Sequence, residues 1–181
     1  MSHVQLIEPN HTTADRAALL SQIHQAFGAV PNMFRAVANS PAALKSLWAS
    51  FGALGGGTLP AKLGEQIAVA VAERNGCGYC LAAHTALGRK AGASAEEMAA
   101  AQAGHASDEN TAEALRFALR LVERRGQVDG DDVRRLRAAG FSDEAIVEIV
   151  AHVALNLFTN YVNLALNVPV DFPQVPLRRA A

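Results

Sequence analysis

Apolar residues recur every three or four positions through most of the 181-residue chain, and short clusters rich in Gly, Pro, Ser or Asn separate these segments. This spacing is typical of helices that bury one face. No stretch shows the strict alternation, rich in β-branched side chains, that a half-buried strand requires. The pattern therefore predicts an all-α class.

Helix start and stop signals define the individual segments. Ser40 before Pro41 is an N-cap followed by a first-turn proline, and Ser94 with Glu97 forms a capping box. Asn75 and Gly76 interrupt a helix that opens near Thr58, so the chain there is expected to fold back as an antiparallel hairpin. We expect a single-domain helical bundle over residues 1–181, with about eight helices. An extended C-terminal tail, rich in proline, is expected to cover a neighbouring subunit.

The most apolar segment, residues 145–168, is long enough to cross a membrane. Its polar side chains recur at helical spacing and so share one stripe. The stripe contains Glu148, His152, Asn156, Asn160, Asn163 and Asn167. We interpret the segment as a core helix of a soluble protein whose polar groups satisfy neighbouring backbone or interface groups. The alternative is that His152 and Asn156 border a functional pocket.

Charge and composition exclude several classes of protein. Lys and Arg number 16 against 17 Asp and Glu, which gives a formal net charge of −1. A chain without excess positive charge is a poor partner for nucleic acid. The N-terminus has no cationic start followed by an apolar run, so we expect no secretion signal, no membrane association and a cytoplasmic location. In that compartment a single cysteine pair favours catalysis or metal binding over a structural disulfide.

The chain holds two cysteines, both in the segment "CGYCLAAH" at residues 77–84. On a helix, Cys77, Cys80 and His84 would lie on one narrow face, because each residue turns by about 100°. Residues three or four apart are neighbours, so Cys80 can pair with either Cys77 or His84. A disulfide, a metal site and a reactive thiol pair all remain open at this point.

A reactive thiol needs its pKa lowered from about 8.5, because the thiolate is the nucleophile. The helix N-terminus that follows Gly76 favours an anion at Cys77, and His84 can accept a proton from Cys80. In the predicted hairpin, Glu65 would meet His84 across the turn. The sequence then predicts a chain from thiol to base to carboxylate: Cys80, His84 and Glu65.

The spacing of Glu65, Cys77, Cys80 and His84, within "LPAKLGEQIAVAVAERNGCGYCLAAHTALGRKAG" (59–92), resembles the signature of the alkylhydroperoxidase D-like group of the carboxymuconolactone decarboxylase family. The C-terminal "HVALNLFTNYVNLALNVPVDFP" (152–173) is similar to the peroxidase-related branch of that family. The resemblance implies a helical fold assembled as trimers or hexamers and an antioxidant, peroxide-reducing activity.

By the same resemblance, Cys80 would be the attacking thiol, Cys77 its resolving partner, and Glu65 and His84 parts of a proton relay. The substrate would be a hydroperoxide and the reductant an external dithiol, which could be a lipoyl-bearing adaptor protein; no cofactor or metal is implied. Tyr79 stands where the family enzyme has a histidine between the cysteines. Its hydroxyl could serve the pocket, or the ring could simply be packed.

Other interpretations stay open. Cys77, Cys80, His84 and Glu65 are acceptable zinc ligands, although a structural zinc site normally draws a second ligand pair from a distant segment. The pair could also act as a non-catalytic redox sensor. A lactone decarboxylase would leave the two thiols without a role. The aromatic residues Phe34, Trp48 and Phe51 are expected in the core or an interface.

Overall fold

The computed structural model describes residues 1–178, and within them the chain forms nine helices and no strand. The all-α prediction is confirmed, with nine helices against the approximate eight expected. The helices are α1 Ala14–Phe27, α2 Asn32–Val37, α3 Pro41–Gly55, α4 Ala61–Arg74, α5 Gly78–Lys90, α6 Ala95–Gln102, α7 Glu109–Glu123, α8 Gly130–Ala138 and α9 Asp143–Ala165.

Most helix starts follow local sequence signals. The Ser40 side chain accepts the backbone N–H of Ala43, and Ser94 and Glu97 form the expected capping box at α6. The start of α4 differs, because Pro60 offers no side-chain cap. Before it, the Glu148 carboxylate on α9 accepts the backbone N–H groups of Thr58 and Leu59 at 2.8 and 3.0 Å. A carboxylate distant in sequence therefore fixes the segment that leads into α4.

Helix α4 is the centre of the bundle. Ten of its 14 residues are buried, and it packs against α5, α6, α7 and α9. Gly76, at φ 70°, makes the turn into α5, a conformation that glycine adopts without steric cost. The predicted antiparallel hairpin of α4 and α5 is thus present and has the most extensive packing of any helix pair.

Helix α9 presents its polar stripe to the protein and an apolar stripe to the outside. Asn156, Asn160 and Asn163 are buried, and the Oδ1 atom of Asn160 accepts the Asn75 side-chain amide at the α4–α5 turn at 2.8 Å. The exposed apolar residues of the helix are Val147, Val150, Phe158, Tyr161 and Leu164. By length and composition α9 could cross a membrane, a test that core helices of soluble proteins also pass. Its contacts with α3, α4, α5 and α7 agree with the core-helix interpretation.

The C-terminal tail is extended up to Arg178, as expected, but it lies over its own chain. The Asp171 carboxylate accepts the backbone N–H of Asn32 at 2.7 Å, at the start of α2. Farther along, the Arg178 N–H donates to Glu73 on α4 at 2.9 Å. Hydrogen bonds within the chain therefore hold this stretch in place, and its contact with a neighbouring subunit stays a prediction.

Candidate active site

The two cysteines lie at the start of α5 and are joined by a disulfide, with Cα atoms 5.3 Å apart. Cys77 is the N-cap residue, just outside the helix, rather than a helical residue as the sequence pattern predicted. Its sulfur accepts the backbone N–H of Cys80 at 3.2 Å. The end of α4 and the turn at Gly76 push Cys77 out of helical geometry, yet the two sulfurs still meet. Both residues are buried, at 1% and 2% exposure.

His84 on α5 contacts Glu65 on α4, with 2.7 Å between Nδ1 and Oε2. The two side chains are mostly enclosed, at 12% and 23% exposure. An ionised carboxylate only accepts hydrogen bonds, so the Nδ1 atom that faces it carries the proton. This tautomer leaves Nε2 as the basic nitrogen of the ring.

A cavity of about 40 Å³ lies beside Cys80 and His84. It is large enough for a water molecule or a small polar group. Cys77 is not part of its wall. The wall is mainly aromatic and apolar, with three polar side chains besides Cys80: Phe27, Pro31, Met33, Phe34, Phe51, Tyr79, Ala83, Leu87 and Phe172, together with His84, Thr159 and Asn163.

Asn163 reaches the cysteine pair from α9. Its Nδ2 atom donates to the Cys80 sulfur at 3.2 Å, and the side chain is 4% exposed. Helical spacing predicts this residue in the polar stripe, and the stripe was expected to make structural contacts. Asn156 does fit that interpretation, since its amide donates to the backbone oxygen of His152 at 2.9 Å. Helical spacing shows that these residues share a face but does not show which of them meets the sulfur.

Tyr79 lines the cavity and contacts α2 and the C-terminal tail. Its hydroxyl accepts the backbone N–H of Met33 at 3.2 Å, and its ring meets Phe172 edge to face at 5.8 Å. Burial raises the pKa of this phenol well above its usual range, and Asp171 raises it further, against the lowering effect of the Met33 hydrogen bond. The phenol therefore stays protonated at physiological pH.

His152 lies outside the cavity, against Gly64 of α4. A side chain at Gly64 would place its Cβ 3.3 Å from the imidazole Cε1, so glycine allows α4 and α9 to approach. The Nε2 atom is buried and has no hydrogen-bond partner. Burial lowers the pKa of His152, an effect that the nearby Glu148 and Glu65 carboxylates partly offset.

The aromatic residues serve both the core and the cavity. Phe34 packs against Phe27 and Phe51, with ring centroids 5.7 and 5.8 Å apart, and all three line the cavity. Trp48 stands behind them, edge to face with Phe34 at 5.9 Å. Phe34 and Phe51 were expected in the core or an interface. They do pack in the core, but they also line the cavity, which borders the aromatic cluster.

The positions of the four candidate zinc ligands bear on the alternative of a zinc site. Among residues 1–178, the His, Cys, Asp and Glu side chains form no group of three or more that could hold a metal ion. The two sulfurs are bonded to each other, and His84 uses Nδ1 toward Glu65. The four residues are thus arranged as a disulfide beside a hydrogen-bonded His–Glu pair.

Residues 41–124 match the carboxymuconolactone decarboxylase family. The matched segment contains Glu65, both cysteines and His84, in helices α3 to α7. The match covers a little under half of the chain, and within it the chain is similar to this family. A search of curated proteins found no match.

Solved structures confirm an alkylhydroperoxidase-like fold. An uncharacterized peroxidase-related protein from Ralstonia eutropha JMP134, described as an alkylhydroperoxidase AhpD core, has a TM-score of 0.84 at 25% identity, covering 94% of this chain and 92% of its own. One from Silicibacter sp. TM1040 has a TM-score of 0.82 at 24% identity, with coverage of 93% and 91%. A variant of the debrominase Bmp8 in complex with 2,3,4-tribromopyrrole has a TM-score of 0.77 at 22% identity and covers 94% of each chain.

Proposed function

We propose that this protein is a member of the carboxymuconolactone decarboxylase family and a thiol-dependent peroxidase that reduces hydroperoxides. One arrangement carries the proposal: Cys80 lines the cavity together with His84, while Cys77 lies behind it, within bonding distance. Glu65 orients the imidazole from the neighbouring helix. The substrate would therefore meet one sulfur and one base, and the second sulfur would resolve the product.

The reaction begins with the reduced pair. Nε2 of His84 takes the proton of Cys80, and the thiolate attacks the terminal oxygen of the hydroperoxide. The O–O bond breaks, the sulfur becomes a sulfenic acid, and the departing alkoxide receives a proton from the imidazolium and leaves as an alcohol. The ionised Glu65 stabilises the imidazolium that forms between the two proton transfers.

Cys77 completes the turnover. Its sulfur condenses with the sulfenic acid of Cys80, which forms the disulfide seen in the structure and releases water. Two electrons have then passed from the thiols to the peroxide. An external dithiol must return them through a mixed disulfide. We propose a dithiol of the lipoyl type, carried by an adaptor protein.

The test is steady-state consumption of a hydroperoxide with dihydrolipoamide as donor, in the wild type and in Cys80→Ser and Cys77→Ser. Cys80→Ser should lose turnover entirely. Cys77→Ser should also lose turnover but should form one equivalent of sulfenic acid at Cys80, which a dimedone-type reagent can trap. His84→Asn should slow the reaction by about two orders of magnitude, the lower range for loss of a general base. Unchanged turnover in both cysteine variants would rule out the mechanism.

The same assay separates catalysis from redox sensing. A sensor would be oxidised once by peroxide and would show no continued turnover with the dithiol. Zinc content of protein purified without chelator addresses the metal alternative, because a redox pair should carry no stoichiometric zinc.

Reductive dehalogenation is a second candidate activity for the same pair. The wall around Cys80 is mainly aromatic, and one structural neighbour is a debrominase bound to 2,3,4-tribromopyrrole. The cavity of about 40 Å³ would have to widen to admit such a ring. In such a reaction the Cys80 sulfur would take bromine from the ring while the ring carbon gains a proton. Cys77 would then displace bromide and form the disulfide. Bromide release from tribromopyrrole with dihydrolipoamide, absent in Cys80→Ser, would support this activity over peroxide reduction.

We also propose that the protein acts as a homo-oligomer, a trimer or hexamer, in the cytoplasm. The apolar stripe of α9 supports assembly, because Val147 and Tyr161 are 66% and 61% exposed on the same helix. Large exposed apolar patches mark interaction surfaces in soluble proteins. We propose that a second copy of this chain binds the apolar stripe of α9.

A further inference from the structure

Asn163 is the one side-chain amide that touches a cysteine sulfur in residues 1–178, and the proposed mechanism does not yet use it. It lies on α9, which is 83 residues distant from Cys80 along the chain. Its backbone oxygen accepts the N–H of Val168 at 3.0 Å, in the C-terminal turn that follows α9. The amide is therefore held on a rigid element rather than on a loop.

The direction of the hydrogen bond carries chemical information. Neither a disulfide sulfur nor a thiolate has a proton, so each can only accept a hydrogen bond, and the amide NH₂ is the group that can donate to it. A protonated thiol gains less from such a donor, because hydrogen bonds to charged groups are the stronger ones. The Nδ2 contact therefore favours the deprotonated sulfur over the thiol.

The other end of the amide has no partner. Oδ1 of Asn163 is buried and accepts no hydrogen bond, although the residue lines the cavity. A buried acceptor without a partner is costly, and the cost is offset when a hydroxyl enters beside it. The hydroperoxide and the sulfenic acid of the proposed reaction both carry an O–H group that could donate to Oδ1.

We propose that Asn163 is a catalytic residue that stabilises the Cys80 thiolate through Nδ2 and receives the O–H of the substrate or the sulfenic acid at Oδ1. This rests on the proposed function, because it takes Cys80 as the attacking sulfur. Two side chains then act on the Cys80 sulfur: His84 on α5 takes its proton, and Asn163 on α9 stabilises the resulting anion.

Substitution of Asn163 leaves the other ionisable side chains near Cys80 in place. They are His84 on its own helix, Glu65 on α4, and the Tyr79 phenol with Asp171 of the tail beside it. The side chains that α2 and α9 present to the cavity are neutral. A change in the ionisation of Cys80 upon substitution of Asn163 can therefore be assigned to the amide.

The experiment measures the rate of iodoacetamide alkylation of Cys80 against pH, in a Cys77→Ser background where it is the sole thiol. Asn163→Leu, which removes the donor at similar volume, should raise the pKa of Cys80 by about one unit, the effect of losing one hydrogen bond to an anion. Asn163→Asp keeps the shape and places a negative charge beside the sulfur, so it should raise the pKa further. The matched control is Asn156→Leu, two turns earlier on α9, which should leave the pKa unchanged.

Both outcomes of this titration are informative. The inference is overturned when the pKa of Cys80 in folded Asn163→Asp equals that of the parent, or when Asn156→Leu shifts it equally. With both cysteines present, Asn163→Leu should lower kcat/KM for peroxide about tenfold at pH values below the raised pKa of Cys80. At higher pH, kcat/KM should return to the wild-type value. If the wild type shows no peroxide turnover, the proposed peroxidase function is overturned but the inference about Asn163 is not. The alkylation titration tests Asn163 without any peroxide.

Discussion

The Tyr79 hydroxyl accepts a hydrogen bond from the backbone N–H of Met33 at 3.2 Å, which ties α5 to the first turn of α2. This bond lies at the wall of the cavity beside Cys80. The ring also supports Phe172 of the C-terminal tail. Tyr79 therefore holds two segments of the cavity wall together.

Removal of the Tyr79 hydroxyl should affect stability more than chemistry. In Tyr79→Phe, the buried N–H of Met33 loses its acceptor, so we expect the free energy of unfolding to fall by about 1 kcal/mol. The pH profile of peroxide reduction should keep its shape, since burial holds the phenol pKa above the working range. Urea unfolding and a pH series of initial rates measure the two effects. Loss of one limb of the pH profile would assign the hydroxyl to proton transfer instead.

Gly88 allows α5 to pack closely on α4 and α6 behind the His–Glu pair. A Cβ at this position would lie 2.5 Å from the Met98 methyl and 3.3 Å from the Glu65 Cβ. We expect Gly88→Ala to lower the free energy of unfolding by about 1–3 kcal/mol, the usual cost of overpacking. It should also slow peroxide turnover, because Glu65 is displaced from His84.

Gly52 provides the matched control for that substitution. It lies in α3, and an added Cβ would meet nothing within 4 Å. Gly52→Ala should therefore raise the free energy of unfolding by about 0.5–1 kcal/mol through helix propensity alone. Equal effects of the two substitutions in chemical denaturation would show that the α4–α5 packing at Gly88 is looser than the structure indicates.

The buried imidazole of His152 should make stability depend on pH. Burial lowers its pKa in the folded protein, so the unfolded chain binds the proton more readily. The contribution of neutral His152 to the free energy of unfolding is fully present above the ordinary histidine pKa of about 6.5. It is lost as the pH falls through the lower pKa that His152 has in the folded protein. His152→Gln should flatten the decline of unfolding free energy below about pH 6.5. An unchanged slope in denaturation series from pH 7.5 to 5 would assign the decline to other groups.

The exposed stripe of α9 should control assembly. Tyr161→Lys adds a positive charge to this stripe and should shift the protein toward smaller species. Glu144→Gln, at the exposed start of the same helix, changes the net charge by the same amount outside the stripe. Light scattering during size-exclusion chromatography compares the two. An identical mass for both variants and the wild type would exclude the stripe as the interface.

The sequence was informative wherever the relevant contacts are local. Ser40 and Ser94 marked helix starts because a cap bonds within one turn. The positions of Glu65 and His84 followed from a short hairpin, since two helices joined by a tight turn must pack side by side. Cys77 was the exception within this region: its three-residue spacing from Cys80 was read as helical, whereas it is the N-cap.

The tertiary structure alone decided which distant groups meet. Helical periodicity placed Asn156, Asn160 and Asn163 on one face but could not say that Asn163 touches Cys80 while Asn156 bonds its own helix. No local signal near Thr58 predicts that Glu148 binds the segment before α4. Local hydrogen bonds and side-chain periodicity are written in neighbouring residues, whereas the choice of partner across 83 or 90 positions depends on how the whole core packs.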